Sequence, residues 1–387
     1  MTRLTWMYVV CVGVLVGITG LGLSACGEGQ VQEQVIILGG MGPLTGRNST
    51  FGQSTQQGIQ LAESEINAQG GVLGKKVRII FADTESRSDR AALAAGKLIN
   101  EDKVVGIIGS VTSGESLGAA AQVQQARIPM LSPTSTNPKV TQQGDFIFRS
   151  CFNDTYQGRV IATYAARELK LTRAAILKDI GDDYSTGLAD AIRAEFIRLG
   201  GQIVAEESYS GSEATYKTQL TKIADSKPEI IFTPIYYSAG VTIIRQAREL
   251  GIMVPFMGGD GLHYDETITL GGKDVEGCYV VSHFINSDPD PKVQKFVADY
   301  RVKFSNEPNV LAALGYDAAK IMFAALQRAG TTEGTKLRDC LAQTTNYPGV
   351  TGMITFDAQR NAQKSAVVLT IHAGKFEMLK RIAPDPQ

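Results

Sequence analysis

The chain has 387 residues, 43% of them hydrophobic and 20% charged, an ordinary globular composition with length for roughly two domains. A formal net charge of −1 leaves no general excess of basic groups for nucleic-acid binding. Five cysteines without a CxxC pair exclude both a disulfide scaffold and a ribbon-type metal site.

At the start of the chain, Arg3 precedes an apolar stretch from Trp6 to Leu23, followed by Leu23-Ser24-Ala25-Cys26. A charged n-region, an apolar core and small residues read as an export signal covering 1–26. The alternative is an uncleaved membrane anchor, since about 18 residues is near the lower limit for a span. Gly13, Gly17, Gly20 and Gly22 weaken that alternative, and Leu-Ser-Ala-Cys resembles the lipobox of bacterial lipoproteins, in which the cysteine is lipidated. Acyl chains on Cys26 would hold the protein at a membrane, at about 0.8 kcal/mol per buried methylene. Loss of the segment removes Arg3 and no acid, so the formal charge moves from −1 to −2. No second apolar run of membrane length is expected, so the rest of the chain is expected to be soluble.

Short β-branched runs then alternate with amphipathic stretches: VIILGG (35–40), VRIIFAD (77–83), VVGIIGS (104–110), PMLSPT (129–134), AAILKD (174–179), EIIFTP (229–234) and PFMGGD (255–260). This alternation predicts βαβ units and parallel sheets. After Ser54, Ile59, Ala62 and Ile66 share a helical face that Gly70-Gly71 end; after Ser185, Leu188, Ile192, Phe196 and Leu199 share another before Gly200-Gly201. Helix QVQQARIP leads into PMLSPT as helix IIRQARELGIMVP leads into PFMGGD, so two halves follow one plan. The segment beyond 285 carries helices at 291–305 and 312–329 but only weak strand signals at 352–357 and 365–372. It is too poor in strands for a third domain. The expected fold is therefore α/β, two doubly wound parallel-sheet lobes with a hinge: 35–150 plus 285–352 in one, 151–284 plus 353–380 in the other.

In open α/β sheets ligands sit beyond the carboxyl ends of the strands, where loops enter helices. There the chain places Ser110, Thr112 and Ser113; Ser132, Thr134, Ser135 and Thr136; Asp182, Asp183 and Tyr184; and Gly259, Asp260 and Gly261. Free N–H groups at a helix start, with hydroxyls beside them, suit an anion such as a carboxylate. The competing reading is that these hydroxyls merely cap helices. Asp260, between glycines after an apolar strand, would face a cleft as acceptor for a cation, with Tyr184 and Tyr236 as aromatic walls; a solvated turn aspartate is the alternative. Donors on one wall and a carboxylate on the other match a zwitterion.

Catalytic motifs fit poorly. Gly114-Glu115-Ser116-Leu117-Gly118 matches G-x-S-x-G, but the strand ends too early for a nucleophile elbow and only His263, His283 and His372 are available as base. His283, in an apolar strand-like run, reads as a core residue. Gly40-Met41-Gly42-Pro43-Leu44-Thr45-Gly46 has Thr45 where a dinucleotide fingerprint needs its third glycine. No enzyme, cofactor or metal site is expected.

The ordered set GGMGPLTGRNSTFGQSTQQGIQLAESEINAQGGVLGKKVRIIFADTES, IIGSVTSGES, IPMLSPTSTNP, IIRQARELG and FMGGDG resembles the branched-chain amino-acid-binding (Leu/Ile/Val) proteins of ABC transporters, over residues 35 to 375. The resemblance implies the type I periplasmic binding fold with three crossovers and a small-molecule amino acid as ligand. It also implies permease subunits as partners and a monomer at the periplasm or cell surface. By motif matching, Ser113 and Thr136, with backbone near Thr134, correspond to the carboxylate binders. Asp260 corresponds to the acid that takes the ammonium, Tyr184 and Tyr236 to cleft tyrosines, and Phe51 to a larger aromatic over the ligand side chain. The cysteine pair of some members is missing, with Thr112 and Thr84 or Glu85 near those positions, so no disulfide is expected. A tethered sensor for a signalling receptor, or a binder of amides, urea or aromatic acids, are alternatives within the same fold.

Overall fold

The run Val35–Gly42 forms strand β1, buried along most of its length, as a central parallel strand covered on both faces must be. The computed structural model describes residues 35–384; the expected signal at 1–26 and the lipidation site Cys26 lie outside the described residues. β1 pairs in parallel with β2 (Lys76–Asp83) on one side and β3 (Ile107–Ile108) on the other. β4 (Met130–Ser132) and β5 (Ile147–Arg149) complete a five-stranded sheet of order β2-β1-β3-β4-β5.

The second sheet repeats the winding. β6 (Arg173–Asp179), β7 (Gln202–Tyr209), β8 (Ile230–Phe232), β9 (Phe256–Gly258) and β10 (Tyr279–Ser282) lie in the order β7-β6-β8-β9-β10, all parallel. The two halves read in the sequence therefore have a structural counterpart. The returning C-terminal segment first makes a small antiparallel sheet, β11 (Tyr347–Gly349), β12 (Gly352–Phe356) and β13 (Ala362–Gln363). It then adds β14 (Ala366–His372) and β15 (Lys375–Ile382) antiparallel to the edge of the second sheet. Lys375, Glu377, Lys380 and Arg381 charge that outermost strand, which discourages pairing with another chain.

Both sheets belong to one contact unit, Gln34–Gln387. The chain crosses between them after β5, entering helix Asp154–Thr163, and after β10, entering helix Pro291–Phe304. It crosses again after β13, entering β14. Helices Pro291–Phe304 and Val310–Ala329 pack on helix Ser49–Ala68 of the first lobe. This is the type I periplasmic binding fold with its three-crossover hinge.

Two expectations need correction. Helix Val310–Ala329 is long and apolar enough by composition to cross a membrane, although no second such run was expected. Its most apolar stretch is 78% buried, because the helix is sandwiched in the core and its hydrophobicity serves packing. Helix Ser49–Ala68 begins five residues before Ser54: Phe51 and Gly52 form a buried first turn, which the periodicity counted from Ile59 onward does not include. Cys151, Cys278 and Cys340 are free thiols.

Candidate functional site

Helix starts from both lobes meet around one small cavity. The first lobe contributes Val111, Thr112 and Ser113 from the loop between β3 and helix Ser113–Ala126, and Thr134 and Thr136 from the loop after β4. Phe51 and Leu311 come from the first turns of helices Ser49–Ala68 and Val310–Ala329. The second lobe contributes Tyr184 in the first turn of helix Asp183–Arg198 and Tyr236 immediately before helix Tyr237–Glu249. Asp260 and Gly261 follow directly after β9, in a single 3-10 turn. All seven residues singled out in the sequence, Ser113, Thr134, Thr136, Tyr184, Tyr236, Asp260 and Phe51, thus line one cavity.

The hydroxyls divide between lining and capping. Ser113 Oγ accepts the Asn137 N–H at 3.1 Å, which leaves its own O–H to donate. Ser110 Oγ instead donates to Glu115 Oε2 at 2.7 Å. Ser132 donates to the Ser110 carbonyl and takes the Ser135 N–H, while Ser116 pairs with Ser135 at 2.7 Å. Ser110, Ser132 and Ser135 therefore bond within and between the loops, while the cap of helix Ser113–Ala126 is Thr112. Ser116 is fully buried and its hydroxyl partners are Ser110 and Ser135, not a histidine, so the G-x-S-x-G match has no elbow geometry. Thr134 Oγ1 donates to the Val111 carbonyl at 2.5 Å, tying the two loops together. From below, buried Arg149 donates to the carbonyls of Ser135 and Asn137, both at 2.7 Å, fixing the Thr134–Thr136 loop by two charge-assisted bonds.

On the opposite wall Tyr184 and Tyr236 stack at 5.0 Å between ring centroids, and the Tyr184 hydroxyl accepts the Gly261 N–H at 3.2 Å. Phe51 reaches across to Tyr236, Tyr237 and Tyr264 at 5.0–5.5 Å. Further bridges join the lobes: Thr50 Oγ1 with the Tyr237 hydroxyl at 3.0 Å and Ser54 Oγ with the Tyr264 hydroxyl at 2.7 Å. Asn137 Nδ2 donates to the Asp183 carbonyl at 2.5 Å. Arg47 lies 3.9 Å from Asp182 at the rim, where burial raises the Asp182 carboxyl to about 6. The lobes are closed on one another.

Gln157 and Asp154 near the cavity escaped the sequence reading, and His283, read as a core residue, is fully buried but also reaches the site. Gln157 and His283 both bond the Asp260 carboxylate. Asp154 is fully buried beside Thr136, and burial raises its pKa well above the usual range although the Thr136 hydroxyl opposes the shift. No short-range pattern marks them, because each reaches the site through the hinge. Leu311 and Val111 were missed for a different reason: as single apolar residues at element ends they are indistinguishable from core. The Asn309 cap, whose side chain accepts from Leu311 and Ala312, was the available signal that a helix begins there.

The sequence pattern described as periplasmic binding protein matches residues 35–374. The chain belongs to the periplasmic binding protein family. An amino acid binding protein of Pseudomonas aeruginosa is 31% identical over 79% of this chain and 82% of its own. The leucine-binding protein LivK of Thermotoga maritima superposes with a TM-score of 0.86 at 35% identity, covering 90% of this chain and 99% of that one. The branched-chain amino acid transporter substrate-binding protein LivJ of Streptococcus pneumoniae, solved with isoleucine, superposes at 0.84 and 31% identity, covering 91% and 100%. Within the family, this periplasmic binding protein is of the branched-chain amino acid ABC transporter type.

Proposed function

We propose that this periplasmic binding protein is the solute-binding component of an ABC importer and captures a branched-chain or similar amino acid as a zwitterion by lobe closure. The observation that carries the reading is the cavity's two-sided chemistry. Ser113, Thr136 and a helix start suit a carboxylate on one wall, Asp260 suits an ammonium on the other, and Phe51, Val111 and Leu311 suit an aliphatic side chain between them. The isoleucine bound by the LivJ relative supports the same ligand class.

On this reading the first lobe holds the carboxylate, and hinge motion brings the second over the ammonium. No bond is made or broken. The protein works as a monomer outside the cytoplasm, tethered by lipid at Cys26, and presents its closed surface to permease subunits. Calorimetry with leucine, isoleucine, valine and benzoate tests this. At least one branched-chain amino acid should bind with 1:1 stoichiometry, and Asp260→Ala should cost about 3–5 kcal/mol, since it strands a buried ammonium. Benzoate binding without amino-acid binding, or unchanged affinity in the variant, contradicts the zwitterion assignment.

A further inference from the structure

Asp260 is only 11% exposed at its side chain, yet no arginine or lysine among the described residues pairs with it. Its Oδ1 is 3.0 Å from Gln157 Nε2 and its Oδ2 is 3.1 Å from His283 Nε2. The amide orientation of Gln157 is dictated by its surroundings: the same Nε2 faces the Val281 carbonyl at 3.3 Å, and two acceptors demand the nitrogen. The imidazole of His283 is fully buried and stacked on Phe152 at 3.6 Å between centroids. Its Nδ1 has no hydrogen-bond partner among the described residues. A carboxylate accepts, so Nε2 must carry the ring's proton, and a bare Nδ1 against an apolar face makes the ring neutral. Burial agrees, lowering the pKa of His283 to about 4 even though the Asp260 bond raises it. Gly259 leaves room for this arrangement: a Cβ there would sit 2.7 Å from the Tyr184 hydroxyl and 2.8 Å from Gln157 Oε1.

We infer that Gln157 and His283 are positioning residues that hold the Asp260 carboxylate between two uncharged donors, so that its whole negative charge stays available to a cation in the cavity. This inference rests on the proposed role of Asp260 as ammonium acceptor. A lysine or arginine at either position would itself satisfy the carboxylate and compete with the ligand; neutral donors orient it without cancelling it. Both donors also sit at crossovers. Gln157 is in the first turn of the helix that follows the β5 crossover, and His283 is the first residue after β10. The acceptor's direction is therefore set by the same segments that bend when the lobes move.

The chain contains three histidines, so histidine-labelled 15N spectra of the full chain resolve each ring. At neutral pH, His283 should show a protonated Nε2 and a bare Nδ1, and the Nε2 signal should move in Asp260→Asn. A protonated Nδ1, or no response to that substitution, overturns the inference whether or not any ligand is known. In calorimetry with L-leucine as probe, Gln157→Leu and His283→Leu should each weaken binding about tenfold or more, as expected for bonds to a charged group. His283→Gln, which keeps a donor near the same place, should restore affinity to within about threefold. In an Asp260→Asn background the losses from Gln157→Leu and His283→Leu should largely vanish; equal losses in both backgrounds would mean a purely structural effect. Failure of the unsubstituted chain to bind any branched-chain amino acid would contradict the proposed function, while the spectra would still decide the clamp.

Discussion

Glu115 lies buried in the first turn of helix Ser113–Ala126, behind the hydroxyl wall, and burial raises its pKa to about 7 although the Ser110 hydroxyl opposes the shift. A carboxyl whose folded value exceeds its ordinary 4.5 contributes stability that is complete below the ordinary value and is lost as pH rises through about 7. At about 1.4 kcal/mol per unit the loss is roughly 3 kcal/mol. Urea melts should show the wild type falling by that order relative to Glu115→Gln between pH 4.5 and 8; a constant difference across this window would contradict it. Six of the seven lining residues were legible because each stands within a few positions of a strand end or helix start, where loops of this fold converge; Phe51 came only from the family resemblance, since its helix was read as starting after Ser54. Gln157, His283, Asp154 and Arg149 were not, because their roles come from contacts made through the hinge or beneath the loop, at separations that no local spacing encodes. Ser110 and Ser132 show the opposite limit: they have the right residue type at the right strand end, yet their hydroxyls are spent on bridging Glu115 and the neighbouring loop.

Among elements, strands and their alternation with helices were readable from apolar runs, whereas helix starts shifted where the first turn is anchored by something other than the periodic stripe. The contact between helices Ser49–Ala68 and Val310–Ala329 is close enough to depend on glycine. A Cβ at Gly58 would lie 1.9 Å from the Ala312 carbonyl oxygen, and one at Gly315 would lie 2.5 Å from that of Thr55. These obstacles are backbone, so Gly58→Ala must spread the two helices and should cost about 1–3 kcal/mol. Gly96, inside helix Ser88–Asn100, has nothing within 4 Å of the same position. Gly96→Ala should gain roughly 0.5–1 kcal/mol. Chemical denaturation of the pair checks both signs, and a stabilising Gly58→Ala would refute the close approach. Because Leu311 stands at the start of one of these helices, spreading them also moves a cavity wall.

Across the whole molecule, the repeated 2-1-3-4-5 strand order sets two sets of helix starts face to face, and the crossovers let one set move against the other. The closed arrangement is held partly by Tyr264, whose hydroxyl meets Ser54 Oγ and the Thr50 carbonyl at 2.7 and 2.6 Å. Tyr264→Phe removes both bonds, at about 1 kcal/mol each. Small-angle scattering should therefore show a larger radius of gyration for the ligand-free variant than for the ligand-free wild type, with the difference shrinking when ligand is added. Equal radii in all states would argue against hinge closure. The paired lobes were foreseeable from the parallel between the two halves of the sequence. Of the small sheet from β11 to β13 only β12, a weak signal at 352–357, was foreseeable, since β11 and β13 are short and β11 contains Pro348 and Gly349. The most direct test is a crystal structure of the protein grown with a branched-chain amino acid. The ammonium should lie against Asp260, the carboxylate against Ser113 and Thr136, and the side chain among Phe51, Val111 and Leu311. A ligand bound elsewhere, or reversed so that its carboxylate faces Asp260, would contradict it.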